Sequence, residues 1–403
     1  MNRRHDIDAL RAIAFALLIL YHLSMFYVAD WGWHVKSVHL ATWLQYPMLF
    51  VNRWRMDLIF MISGMAAAFL LKTDLIKTGR VGQFVRQRSW RLMLPLLFGI
   101  MVVVPIQPYA QGVTNGLVKP GFVQFLFDYF SGKPWPKNAF DGWQYGFTYN
   151  HLWYLFYLWV YTLVLALLAK PLASAAGRKL TSLFTGLRGW KLLTLPALPF
   201  LLYTVTLQDR FPDNGDFIHD WYRNPVYFTI FLYGYLIAKD AGFWAEALRL
   251  RGASLATALA IFVPYILMVA FVPDDAPHWL GIVIWTLRVA YVWTMLMAIL
   301  GWGHALLNRP FRWLPWATES VYPWYMLHQS LIVGIGFALI PYRLGPVTEP
   351  LLILFGTVVG CYAISEMIKR IAWLRPCFGL KATPRRNTMR AVAAAASLHD
   401  DCA

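Results

Sequence analysis

From Ala9 to Val28 the chain reads ALRAIAFALLILYHLSMFYV. About 20 mainly apolar residues are what a helix needs to cross the hydrocarbon of a bilayer. Two ionisable side chains, Arg11 and His22, interrupt this one. Arg3 and Arg4 stand ahead of it as in a signal peptide. However, the continuation Val28-Ala29-Asp30-Trp31 offers no small-x-small cleavage site, and many more apolar segments follow. The stretch is expected to be a retained first membrane helix.

The composition of the whole chain agrees. Of 403 residues, 59% are hydrophobic and 14% charged, with a mean hydropathy of +0.49; an ordinary globular protein has roughly 25% charged residues. So much apolar surface excludes a disordered chain, a disulfide-stapled secreted domain and a conventional cytosolic enzyme. Nine further apolar stretches follow: 56–71, 92–107, 152–169, 192–207, 225–238, 254–272, 280–301, 321–340 and 351–372. The expected fold is all-α, a polytopic membrane bundle of about ten transmembrane helices filling residues 1–372. Residues 373–403 are expected to form a basic, disordered cytoplasmic tail.

A net charge of +16 would suggest nucleic acid in a soluble protein. With the N-terminus inside, roughly two thirds of the 36 Lys and Arg fall in cytoplasmic segments. That positive-inside pattern accounts for the charge, places both termini in the cytoplasm and leaves no call for a nucleic-acid partner. The three cysteines, Cys361, Cys377 and Cys402, form no CxxC or Cys/His spacing, so neither a disulfide nor a metal site is expected.

Ionisable groups inside a lipid-spanning helix face a cavity or a partner. Arg11 and His22 are eleven residues apart, which returns to within about 20° of one face and separates them by about 16 Å along the axis. Arg11 should lie near the cytoplasmic mouth and His22 above it on the same stripe. Arg86, Arg88 and Arg91 gather at the cytoplasmic start of the third segment, with Arg88 and Arg91 one turn apart. Basic residues at a cytoplasmic helix end are ordinary topology determinants. Two guanidiniums on one face can also clamp phosphate oxygens bidentately. The combination suggests a phosphorylated cytoplasmic donor whose reactive end reaches a buried imidazole.

These residues resemble a known family. Arg11 to His22 is similar to the Arg-x10-His motif of the acyltransferase-3 membrane acyltransferases, with Asp8-Ala-Leu-Arg11 as its lead-in. Arg88-Ser-Trp-Arg91 resembles the family's Arg-x-x-Arg, and Phe60-Met-Ile-Ser-Gly64 and Tyr322-Pro-Trp-Tyr-Met-Leu-His-Gln329 its second and late-helix signatures. Trp33-His34-Val35, His151-Leu-Trp153 and Gly303-His304-Ala-Leu-Leu-Asn308 look like the branch that succinylates periplasmic glucans. The likeness extends to about Trp373; Tyr154, where the branch often has Phe, and Arg288 depart from it.

The resemblance implies an inner-membrane O-acyltransferase that moves a succinyl or acetyl group from cytoplasmic acyl-CoA to a hydroxyl of an extracytoplasmic glycan. No permanently bound cofactor is implied. Arg88, Arg91 and Arg86 would hold the CoA phosphates and Arg11 the thioester's entry. His22 would take the hydroxyl proton or carry the acyl group transiently. His328 and Gln329, expected at a depth similar to His22, would bind the acceptor or an oxyanion, or simply tie two helices together. His151, Trp153 and His34 are expected to contact the glycan, among outer-loop tryptophans of which most form the interfacial belt. Arg288 needs an anion. Asp57 or Glu366 is the structural candidate, and the free carboxylate of a succinyl group the functional one. The alternative to an enzyme is a secondary transporter with a midplane polar site; against it, no internal repeat is visible.

Overall fold

The computed structural model describes residues 4–211, 215–273 and 275–382. Among these there is no β-sheet, only one bridge between Val28 and Ala41. The helices run α1 (His5–Met25), α2 (Gln45–Leu70), α3 (Thr73–Lys77), α4 (Val81–Phe98), α5 (Ile106–Thr114), α6 (Phe122–Phe130), α7 (Trp153–Ala173) and α8 (Ala175–Thr185). After them come α9 (Trp190–Thr194), α10 (Leu198–Leu207), α11 (Arg223–Ile237), α12 (Ala241–Phe271), α13 (His278–Leu307), α14 (Leu314–Leu339), α15 (Thr348–Arg370) and α16 (Leu374–Cys377).

All ten expected segments are helical. Seven helical stretches are long and apolar enough to cross a membrane, or eight with α4 and α5 taken as one bent span. Two of the ten fall short for physical reasons. In α2 the charges Arg53, Arg55 and Asp57 interrupt the apolar run, and α11 has 15 residues. The α4–α5 pair bends by 42° behind a π-turn at Gly99–Val103. Pro105 lacks an N–H and cannot continue the ladder. The carbonyl of Val103, next to this break, is taken by the Ser330 hydroxyl of α14 at 2.7 Å, as apolar surroundings demand.

α1 is central, touching α2, α13, α14 and α15. Its first turn is pinned by Asp6, fully buried, which accepts hydrogen bonds from Arg4 at 2.6 and 2.9 Å and pairs with Nδ1 of His304 on α13 at 2.7 Å. α2 lies along α11 at backbone contact. A Cβ on Gly64 would stand 1.8 Å from the Phe231 carbonyl oxygen, and one on Gly234 2.0 Å from that of Met61. Two glycines facing each other let these helices approach as membrane helices do at small residues.

The expectation of a disordered tail from Trp373 fails for residues 373–382. Arg375 is buried, donating to the carbonyls of Lys369 and Lys381 and to Glu319 at 2.9 Å, and Phe378 packs on Phe98. A guanidinium with three acceptors and an aromatic anchor hold this stretch on the bundle. The remainder of the tail, residues 383–403, lies outside the described residues.

Candidate functional site

His22 is on α1, one turn from its end, and His328 is in the middle of α14. Nδ1 of His22 lies 2.8 Å from Nε2 of His328. The ring planes agree within 6° and the centroids are 5.0 Å apart, so the imidazoles meet edge to edge. Nδ1 of His328 sits 2.8 Å from the Tyr325 carbonyl and 3.1 Å from that of Trp324, and only an N–H can serve there. The neutral ring then accepts at Nε2, so His22 donates from Nδ1. His22 is left with an unprotonated Nε2, the state a general base requires.

His22 lines a cavity of about 840 Å³ that reaches among the loops beyond the ends of α1 and α7. His34, Gln111, Asp141, His151, Trp153 and Gln329 also line it. A polar network organises that wall. Gln107 donates to Nδ1 of His151 at 3.2 Å and to Ser330 at 2.7 Å, and its oxygen accepts from Asn150 and Gln329, each at 3.0 Å. Nε2–H of His151 donates to the Met326 carbonyl at 2.9 Å. Gln329 reaches Nε2 of His34 at 3.1 Å, and Nδ1 of His34 faces Asp141 at 3.0 Å and Gln111 at 3.2 Å. Within this hydrogen-bond network Gln107, His151, Gln329 and His34 each have partners, so the wall is rigid.

His22, His34, His151, Trp153 and Gln329 therefore share one cavity, with His328 behind His22. Arg11, Arg86, Arg88 and Arg91 are not brought into it. Arg11 pairs with Asp8 on its own helix at 3.0 Å, Arg86 and Arg91 are exposed, and Arg88 is half-buried with its Nε unpartnered. Phe15, Leu18, Tyr154 and Tyr325 line the cavity at the level of α1 between His22 and these arginines. Phe15 meets Tyr325 edge-on at 5.2 Å, Tyr154 is hydrogen-bonded to Ser63, and Tyr322 donates to the Arg91 carbonyl at 3.2 Å. These aromatic side chains bound the end of the cavity toward the arginines, and none of the four arginines lines it.

Of the two carboxylates expected beside Arg288, Glu366 lies elsewhere and Asp57 shares its chamber. Arg288 donates to Tyr222 at 2.8 Å and to Gln208. Glu366 is engaged by Lys369 at 2.6 Å and Trp316 at 2.9 Å. Asp57, the expected carboxylate, lines the same chamber and attracts Arg288 by charge, while Tyr222 and Gln208 supply the guanidinium's hydrogen-bond acceptors.

The sequence reading missed Arg53 and Arg55, because starting the second segment at Met56 left them in a loop. α2 begins eleven residues earlier, at Gln45, and buries Arg55 to 6% exposure. A lone glutamine in the apolar run before Pro108 was the available sign of Gln107.

A family model described as an acyltransferase domain matches residues 4–366. Similar proteins include the glucans biosynthesis protein C of Salmonella paratyphi A and that of Salmonella agona. Each is 24% identical over 363 residues, which cover 84% of this chain and 85% of the relative. No solved structure matches the chain.

Proposed function

The chain belongs to the acyltransferase-3 family and is a multi-pass membrane acyltransferase; we propose that it moves a succinyl or acetyl group from cytoplasmic acyl-CoA to a hydroxyl of a periplasmic glucan. On this reading the protein sits in the bacterial inner membrane with ten passes and both termini inside. Support for the glucan comes from the name of the similar glucans biosynthesis proteins C and from the polar, loop-lined cavity. The positive-inside pattern supports the orientation.

The observation that carries the reaction is the edge-to-edge contact of His22 with His328 in the wall of that cavity. His22 takes the proton of the glucan hydroxyl at Nε2 as the oxygen attacks the thioester carbonyl. The new C–O bond forms, the C–S bond breaks, and the proton passes to the departing thiolate. Tethered through Nδ1 to His328, the ring stays in one tautomer and one orientation. His34, His151, Trp153 and Gln329 line the side on which the glucan enters. Arg88 and Arg91, with Arg86 beside them, hold the CoA phosphates at the opposite end, and Arg11 stands at the thioester's entry. Movement of Phe15, Tyr154 and Tyr325 admits the thioester to His22.

The test is acyl transfer in membranes carrying the protein, followed by release of CoA thiol and by mass spectrometry of the glucan. Wild type should consume acyl-CoA and acylate the glucan, and His22→Ala should do neither at equal expression. Thiol release that survives H22A would remove His22 from the chemistry.

A further inference from the structure

A second chamber of about 440 Å³ adjoins the first, and His22, Trp33, Arg55 and Trp153 line both. Arg223 lines both as well, the second chamber's other walls carry Arg53 and Arg288, and the only acidic side chain among its lining residues is Asp57. Four guanidiniums against one carboxylate, deep among membrane helices, is an unusual balance, since a buried charge is tolerated only when it is paired.

Three of the arginines are engaged by the protein, Arg223 among them. Arg53 donates to Tyr265 at 2.7 Å, and Arg288 to Tyr222 and Gln208. Arg55 differs. Its guanidinium lies over the Tyr21 ring at 3.6 Å, a contact that leaves most of its N–H donors to be met elsewhere. The residue is 6% exposed, and its Nε and Nη1 are buried without a hydrogen-bond partner. A guanidinium held flat by an aromatic ring, in the wall shared by two chambers and with donors that the protein leaves unmet, calls for an oxyanion as acceptor.

We propose that this chamber is an oxyanion-binding subsite with Arg55 as its principal ligand. The occupant is an anionic group carried by a reactant, with its reacting carbon or oxygen at His22 and its charge at Arg55. Two sources share that chemistry: a free carboxylate at the far end of the acyl chain, or an anionic substituent on the glycan. Arg288, with its donors engaged by Tyr222 and Gln208, supports the positive field from the far wall. This subsite rests on the acyltransferase reading of His22.

The experiment compares wild type with Arg55→Gln and Arg55→Lys in proteoliposomes, using acetyl-CoA and succinyl-CoA as donors and neutral or phosphate-substituted glucan as acceptors. In R55Q the ratio of kcat/KM for the charged reactant to that for its uncharged counterpart should fall at least tenfold, and R55K should recover part of it. A fall in the donor ratio places the carboxylate on the acyl chain; a fall in the acceptor ratio places the anion on the glycan. Equal loss in every combination, or no loss, overturns the subsite. A second measurement stands apart from turnover: succinate and inorganic phosphate are titrated against thermal unfolding of the detergent-solubilised protein. At least one should raise the midpoint of wild type and H22A and leave R55Q unmoved. Absence of a rise in wild type counts against the subsite even where transfer is normal. A rise without any acyl transfer leaves the anion site standing and sinks the acyltransfer reading instead.

Discussion

His22 of α1 and His328 of α14, 306 positions apart in the chain, meet nitrogen to nitrogen at 2.8 Å. The backbone of α14 decides what that contact means. Carbonyls of Trp324 and Tyr325 receive Nδ1–H of His328, which turns its other nitrogen into an acceptor and fixes the tautomer of His22. Helix geometry one turn away thus sets which nitrogen of His22 is basic.

That arrangement predicts different outcomes for three substitutions. His22→Ala should cost about 10²–10⁴ in kcat, the usual worth of a general base. His328→Ala should lower kcat by roughly ten- to a hundredfold while the KM for acyl-CoA changes little, because the base is released from its orientation and tautomer. His328→Gln should recover part of the loss through its side-chain oxygen. Steady-state thiol release checks all three, and a normal kcat in H328A would show that the contact only joins two helices.

Gln107 predicts a stability effect. Its amide serves His151, Ser330, Asn150 and Gln329 at once. Gln107→Leu strands several buried polar groups, each costing about 1–3 kcal/mol when unsatisfied. Unfolding of the solubilised protein in a denaturant titration should show a loss of about 2–4 kcal/mol, the larger part of what one network member can contribute. A variant as stable as wild type would mean that water replaces the amide.

Much of this was legible in the residues, and the reasons for the rest are physical. Hydropathy located all ten helical segments because lipid contact selects apolar runs. It misplaced the start of α2, because Arg53, Arg55 and Asp57 are inward-facing and lower the hydropathy of a helix that exists to carry them. The shared depth of His22 and His328 followed from a constant rise per residue, whereas their direct contact depends on how α1 packs on α14. Spacing put Arg11 under His22 on one stripe, yet it said nothing about Tyr154 and Tyr325, which come from other helices to wall the cavity on that side. That aromatic wall is a property of tertiary packing alone.

The Phe60-Met-Ile-Ser-Gly64 signature divides into two contacts, and each is testable. Ser63 holds Tyr154, while Gly64 admits the backbone of α11, with no room for a methyl group beside the Phe231 oxygen. Gly64→Ala and Gly234→Ala should each destabilise by about 1–3 kcal/mol or more, the range for overpacking. Gly281→Ala, where a Cβ meets nothing within 4 Å, is the control. Thermal midpoints in detergent would rank them; equal midpoints for G64A and G281A would contradict the close approach of α2 and α11.

The Asp141 carboxylate gives the pH prediction, and its sign follows from its surroundings. Partial burial pushes its carboxyl up. The hydrogen bond and charge of His34, helped by the Gln111 amide, outweigh that and leave it below the usual 3.8. A carboxyl lowered in the folded state binds fewer protons than its unfolded counterpart near pH 4, so folding gains stability as pH rises through that window. The contribution is complete above the ordinary carboxylate value and is lost as pH falls below about 4. Asp141→Asn cannot lose a proton and should flatten this part of the profile of unfolding midpoint against pH, lowering the midpoint at pH 6 and leaving it close to wild type at pH 3. Because Asp141 anchors His34, which meets Gln329 and through it Gln107, the same substitution should raise the KM for glucan more than that for acyl-CoA. A parallel rise in both would place His34 away from the acceptor side of the cavity.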